Sequence, residues 1–303
     1  MDTNANLKDS IRSEDEIDIK KLFQILWNGK IFIAVSTVLF SIFSITYSTG
    51  LPNIYQSQAL LSSAEEARRG GSSNSIGGLA NLAGLNISSG GSKTSLAIEK
   101  IKTLSFFEEN ILPNIFLPDL MAMKSWDPVT NTISYNEDKY DKQNGSWVSR
   151  PSSQTSYNMF KGIMSVNESR DKNIITIKIK HQSPHIAKSW TELVVNQINQ
   201  HFRDIDKQEA EMSLDYLNNQ MTQTSYSEIK QVISQLIKER MQKLTLIEVN
   251  EFYIFSYLDP PKVMESKIEP DRNALLILGG VIGLMLGIII VLTRNFFGYK
   301  EIK

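Results

Sequence analysis

The chain has no cysteine, which excludes a disulfide framework, a thiolate metal site and a cysteine nucleophile. It has little histidine. His181 and His185 stand four apart, a spacing metals use, but Pro184 lies between them and keeps them off a common helical face. They read as structural, and His201 as a solvated helix residue. No metal, cofactor or catalytic residue is expected. No G-x-x-x-x-G-K-[ST] phosphate loop occurs, and no Ser-His-Asp arrangement is legible. The net charge of −1 carries no electrostatic footprint for nucleic acid. A mean hydropathy of −0.20 is that of a soluble protein, but an average hides local segments.

Two stretches lack charge altogether. Ile31 to Tyr47 reads IFIAVSTVLFSIFSITY, and Ala274 to Leu292 reads ALLILGGVIGLMLGIIIVL. About 20 apolar residues cross a hydrocarbon core, so both runs qualify as membrane helices. Ser36, Thr37, Ser41, Ser44 and Thr46 make the first more polar, and their hydroxyls are expected to bond back to helix carbonyls. A long polar lead, a long apolar run and no A-x-A site favour an uncleaved anchor over a signal peptide. Lys20, Lys21 and Lys30 precede the first run, and no Lys or Arg follows it until Arg68. Arg294, Lys300 and Lys303 follow the second, although Arg272 lies on its other flank. The positive-inside rule then puts both termini in the cytoplasm and the residues between the runs outside. Gly279, Gly283 and Gly287 form two overlapping G-x-x-x-G steps, a close-packing face for another helix.

Residues 1–30 read as a polar cytoplasmic tail followed by a short interfacial helix over Asp18 to Asn28, with Asp18 as N-cap and Trp27 and Lys30 as anchors. Membrane helices are assigned to 31–48 and 273–293, the outer domain to 49–272, and a second short tail to 294–303. Within the outer domain Tyr55 to Ser62 reads as a strand. Gly70 to Gly91 is rich in Gly and Ser, yet Ile76, Leu79, Leu82, Leu85 and Ile87 make it too apolar for a plain linker. Helical spacing predicts helices over Thr94 to Asn110 and around Gln154 to Phe160. Asn173 to Gln182 alternates cleanly, with Ile163 to Glu168 as its hairpin partner. From His185 to Ser256 neither glycine nor proline occurs. This predicts a very long extended helix over about 185–257, with a bend or break at Asn218–Gln220 or Thr222–Ser227. Such a helix needs partners along its length, and the same helix in neighbouring subunits is the simplest partner. Glu239, Glu248 and Glu251 read as solvated or inter-subunit contacts. Tyr216, Tyr226, Tyr253 and Tyr257 are able to stack on sugars, but ordinary packing is the simpler expectation. Pro260, Pro261 and Pro270 punctuate the approach to the second membrane helix. The fold class is thus an α+β membrane protein: two transmembrane helices flank a periplasmic domain with a small α/β base and one very long helix.

DEIDIKKLFQILWNGK at Asp15 to Lys30, SWDPVTNTISYNEDKYD with the following Trp147 to Arg150, SPHIAKSW at Ser183 to Trp190, and EFYIFSYLDPPKVMESKIEPDR at Glu251 to Arg272 together resemble the Wzz-type polysaccharide co-polymerases, the O-antigen chain-length determinants. The resemblance keeps the family's order over nearly the whole chain. One departure is Met264, where the family usually has a further proline. The resemblance implies a non-enzymatic inner-membrane protein that forms a closed homo-oligomeric ring of about eight subunits. It implies control of the length of lipopolysaccharide O-antigen, or a related lipid-linked surface polysaccharide, made by a Wzy-type polymerase. The alternative is an adaptor that activates a separate cytoplasmic tyrosine kinase in capsule or exopolysaccharide export; the few residues after the second membrane run argue against it. A sensor ectodomain and a glycan-processing enzyme are weaker readings, lacking an output module and a catalytic constellation respectively.

Overall fold

The computed structural model describes residues 19–64, 90–169, 171, 173–250 and 252–298. The expected polar tail up to residue 18, the apolar leucines of the glycine-rich stretch, Glu251 and the chain after Gly298 lie outside the described residues. Two compact units divide the chain, one of residues 1–53 with 269–303, the other of residues 54–268.

The first unit is helical. Helix α1 (Ile19–Asn28) is amphipathic, and its Phe23 and Trp27 rings stack one turn apart. Helix α2 (Lys30–Gly50) follows after Gly29, and helix α9 (Arg272–Gly298) is the last element. Both are long and apolar enough to cross a membrane.

The second unit is built on a four-stranded antiparallel sheet. Strand β1 (Tyr55–Ser63) lies inside it, between β7 (Ile174–His181) and β8 (Phe255–Asp259), and β6 (Met164–Ser169) is the other edge. The alternation in β7 buries Ile175, Ile177 and Ile179, opposite Leu61, Ala59 and Ser57 of β1. The expected hairpin of β6 with β7 is present, pairing Val166 with Ile177. Helix α3 (Gly90–Ile101) precedes a break at Lys102–Thr103. There Thr103 caps α4 (Leu104–Phe106), its Oγ1 accepting from the Phe106 N–H at 3.2 Å. This cap is why one helix from Thr94 to Asn110 does not form. A π-turn, Phe107–Ile111, follows and buries Phe107 and Ile111 against Phe160 of α6 (Ser153–Ile163). Between α5 (Leu117–Met121) and α6 lie two small hairpins, β2 (Met123–Asp127) with β3 (Thr132–Tyr135), and β4 (Tyr140–Asp141) with β5 (Ser146–Trp147). The second turns at Gly145, whose φ of 63° is the left-handed conformation that glycine adopts without a Cβ penalty.

The long helix is real but shorter than its sequence pattern. Helix α7 (Pro184–Gln223) has 40 residues and reaches about 60 Å. Its first half packs Trp190, Val194, Val195 and Ile198 on the sheet. Thr224 and Tyr226 are extended, and α8 (Ser227–Val249) then returns antiparallel. Lys207 meets Glu248 at 2.5 Å, and Arg203 donates to the Asn250 carbonyl at 2.6 Å, which closes the hairpin at its open end. The helix therefore does not continue to 257. In the stretch 216–227 only Leu217 and Met221 are apolar aliphatic side chains, and Ser and Thr compete with the helix for backbone groups. The helical pair supplies its own partner along that length.

Residues past 250 also depart from a helix. Asn199, buried on α7, accepts at Oδ1 from the Ile254 and Phe255 N–H groups, both at 2.8 Å, and donates from Nδ2 to the Phe255 carbonyl at 3.0 Å. The aromatic run FYIFSY has the residue types of a strand, and Asn199 supplies the hydrogen bonds that α8 no longer offers. Phe255 is thereby fully buried, worth about 1.5–3 kcal/mol. Asn199→Ala leaves two buried N–H groups unpaired and is expected to cost about 2–4 kcal/mol, measured by denaturant unfolding of the full chain in detergent. A loss under about 0.5 kcal/mol would mean that water replaces the amide freely.

Candidate functional site: the paired apolar helices

Helices α2 and α9 pack antiparallel through their small residues. A Cβ placed on Gly279 would lie 2.5 Å from Ser44 Cβ, one on Gly283 2.8 Å from Phe40 Cβ and the Ser36 carbonyl, and one on Gly287 2.9 Å from Ile33 Cα. The register continues to Gly29, which faces Val291 too closely for any Cβ. Gly279, Gly283 and Gly287 thus all meet the other apolar helix of the same chain. Close backbone approach is what G-x-x-x-G spacing permits when no hydrophobic effect drives association.

The hydroxyls divide by type. Thr37 and Thr46 donate back to Ile33 and Ile42 carbonyls of their own helix, as the sequence suggested. Ser36 instead donates across to the Gly283 carbonyl at 2.8 Å, and Ser44 to the Leu275 carbonyl at 2.6 Å. Those two serines and Gly29 are contributions the sequence reading missed. Serine reaches across because it has no γ-methyl to hold off the facing backbone, and eight residues separate Ser36 from Ser44, against eight from Gly279 to Gly287. Interhelical bonds of this kind are worth about 0.6 kcal/mol each in a membrane.

One end of the pair carries cations over aromatic rings. Lys30 Nζ lies 4.6 Å from the Trp27 ring centroid, and the Arg294 guanidinium 5.2 Å from that of Phe32. Trp27 is 59% exposed. Of the proline segment, Pro261 is buried and Pro260 exposed, while Pro270 follows a cis peptide bond. Beside them Ser57 Oγ donates to the Lys262 carbonyl at 2.9 Å, and the Ile268 N–H to the Ile54 carbonyl at 2.8 Å, binding the segment after β8 to the start of β1.

Several titratable groups of the α/β unit are engaged by internal contacts. His181 is buried against Trp190; its Nδ1 accepts from the Ser183 N–H at 3.0 Å, so Nε2 carries the proton and donates to the Asp119 carbonyl at 3.1 Å. Burial holds its pKa below the usual histidine value. Burial raises the Asp119 carboxyl, against the opposing hydrogen bond from Tyr135 at 2.6 Å. His201 is half-buried between Phe106 and Phe202 rather than solvated. Asp206 would be raised by burial, but hydrogen bonds from Lys93 at 2.6 Å and from Tyr253 outweigh it and lower its pKa. Glu248 pairs with Lys207, and Glu239 accepts from Gln235 one turn away. Among the described residues no cluster of three metal-ligating side chains occurs.

These features define a membrane protein of α+β fold with two apolar helices packed as a pair and a helical hairpin on a small sheet. Residues 15–111 match the family model described as Wzz, chain length determinant protein. Solved structures similar to it include a full-length bacterial polysaccharide co-polymerase, at 15% identity over 95% of this chain and 100% of that one, with a TM-score of 0.44. A fragment of WzzB, a polysaccharide co-polymerase from Salmonella Typhimurium, is similar at 12% identity over 72% of this chain and 100% of that one, with a TM-score of 0.33. No curated protein matches.

A Cβ on Gly280 would lie 3.5 Å from Ser41 Oγ, so the paired substitutions Ser41→Cys and Gly280→Cys are expected to form a disulfide on mild oxidation. The absence of native cysteine makes the assay clean: protection of both thiols from a bulky maleimide within single chains reports the bond. Adding Gly283→Leu should slow its formation severalfold; unchanged kinetics would show that the helices do not need this close approach.

Proposed function

We propose that this protein regulates the chain length of lipopolysaccharide O-antigen or a related surface polysaccharide, without catalysing any step. It acts as a homo-oligomeric scaffold in the inner membrane beside a Wzy-type polymerase. What carries the reading is the match of residues 15–111 to the chain length determinant family together with two membrane-length helices that flank, in sequence, an α/β domain with a long helical hairpin. Regulation by a scaffold needs a surface held at the growing chain and no reacting group. Exposed apolar side chains on the hairpin, Ile205 and Met212 on α7 and Val232 and Met241 on α8, support contact with further copies.

The orientation proposed has both termini in the cytoplasm and residues 54–268 in the periplasm, on the lysines flanking α2 and the arginine ending α9. A reporter active only outside the cytoplasm should give signal when fused at Asn144, in the β4–β5 turn, and stay silent after Lys303. Signal at Lys303 would refute the two-span topology.

Deleting the protein should leave polymer in place but remove the modal cluster of long chains, so that the gel ladder of surface polysaccharide decays smoothly with length. Gly283→Leu with Gly287→Leu should shift or broaden the mode at normal protein level. Loss of all polymer would assign an export or kinase-adaptor role instead, and an unchanged ladder would remove chain-length control altogether. A 34.3 kDa monomer that still sets the mode would eliminate the ring.

A further inference from the structure

The four tyrosines of the helical hairpin and the segment returning from it separate into two kinds. Tyr253 hydrogen-bonds Asp206, and Tyr257 is half-buried on β8, its pKa pushed up to about 12 by burial. Tyr216 and Tyr226 are 64% and 70% exposed. Both lie at the closed end of the α7–α8 hairpin, Tyr216 two turns before the end of α7 and Tyr226 at the cap of α8. Packing within the chain does not account for them.

Their surroundings have a distinct chemistry. From Tyr216 to Ser227 no residue carries a charge at neutral pH, whereas charges recur along both helices on either side, from Arg203 to Asp215 and from Glu228 to Glu248. Asn218, Asn219 and Gln223 are exposed at this end, and among the described residues no hydrogen bond engages their side chains. Each amide offers donors and acceptors together, which a polyhydroxylated ligand matches and an ion does not. A tyrosine ring adds a flat apolar face with a polar rim. A solvated helix end of this length normally carries charge for solubility. Its absence here, around two exposed rings, fits an uncharged partner with both apolar faces and hydroxyl groups.

We infer that the closed end of the hairpin binds an uncharged stretch of glycan, with Tyr216 and Tyr226 stacking on sugar rings and the amides of Asn218, Asn219 and Gln223 bonding their hydroxyls. This rests on the chain-length reading and names the contact through which the scaffold meets its polymer. The hairpin extends α7 well past Ala210, its last buried residue, so the end projects beyond its own core.

The test uses the full chain in lipid nanodiscs. The probe is surface polysaccharide released from its lipid by mild acid from cells that make this protein, end-labelled with a fluorophore and followed by anisotropy. Binding by the native chain should be nearly unchanged between about 50 and 500 mM salt, because no charge pair is involved. Tyr216→Ala and Tyr226→Ala should each weaken Kd about 3- to 10-fold, while Tyr216→Phe and Tyr226→Phe keep the ring and most of the affinity. Both positions are exposed, so thermal unfolding should not move. No binding by the native chain, equal binding by the double alanine variant, or affinity that collapses with salt would overturn the inference. A double alanine chain that binds normally leaves chain-length control intact; that control fails separately, by an unchanged ladder in the deletion strain.

Discussion

Much of the α/β unit depends on a single amide. Asn199 holds the backbone at 254 and 255 by three hydrogen bonds, and so fixes where the returning chain leaves the hairpin and enters the sheet. Without that anchor β8 has only β1 to pair with, through a register that shifts between Leu60 and Leu61. With it, Phe255 is seated in the core among the side chains of β1, β7 and α7. The Asp206 carboxylate, two turns further along α7, then gathers Lys93 from α3 and Tyr253 from the same returning segment. One helix face therefore gathers two parts of the chain that are distant from it in sequence. A buried polar network of this sort is stabilising only when every member is satisfied, and here the members satisfy each other.

Local patterns carried much of the fold. The alternation of Ile175, Ile177 and Ile179 identified β7 and its buried face, and the uncharged runs located both apolar helices. Gly279, Gly283 and Gly287 pointed to a packing face, but the partner was open. The facing serines were legible only as polar residues, because whether a hydroxyl bonds its own helix or its neighbour depends on tertiary geometry. Failure came where a local rule had been read in reverse. The break at residues 224–226 falls inside the polar patch Thr222–Ser227 where it was expected, but glycine and proline break helices without their absence extending them, and the second helix stops at Val249 with neither residue nearby. Likewise Phe252 to Leu258 looked helical because helical residues preceded it. A partner 55 residues earlier, invisible to any local pattern, decided otherwise.

The hairpin changes what needs explaining about stability. A continuous helix of that length would have to find all its contacts outside the chain. A helix of 40 residues doubled back by one of 23 buries Ile233 and Ile247 without help and leaves other apolar side chains facing outward. Self-association is then a matter of the outward faces, not a condition for the helices to exist. The uncharged closed end lies away from the ion pair of Lys207 and Glu248 that ties the open end.

The order of strands has a consequence for synthesis. Strand β1 is made early, yet both of its neighbours come late: β7 at Ile174–His181 and β8 at Phe255–Asp259. At a translation rate of about 5–20 residues per second, roughly 6–24 s separate the end of β1 from the end of β7. During that interval β1 presents two unpaired edges, the kind of template on which neighbouring nascent chains mispair. The sheet's non-sequential order thus makes the interval before β7 emerges the step most exposed to competition from other copies.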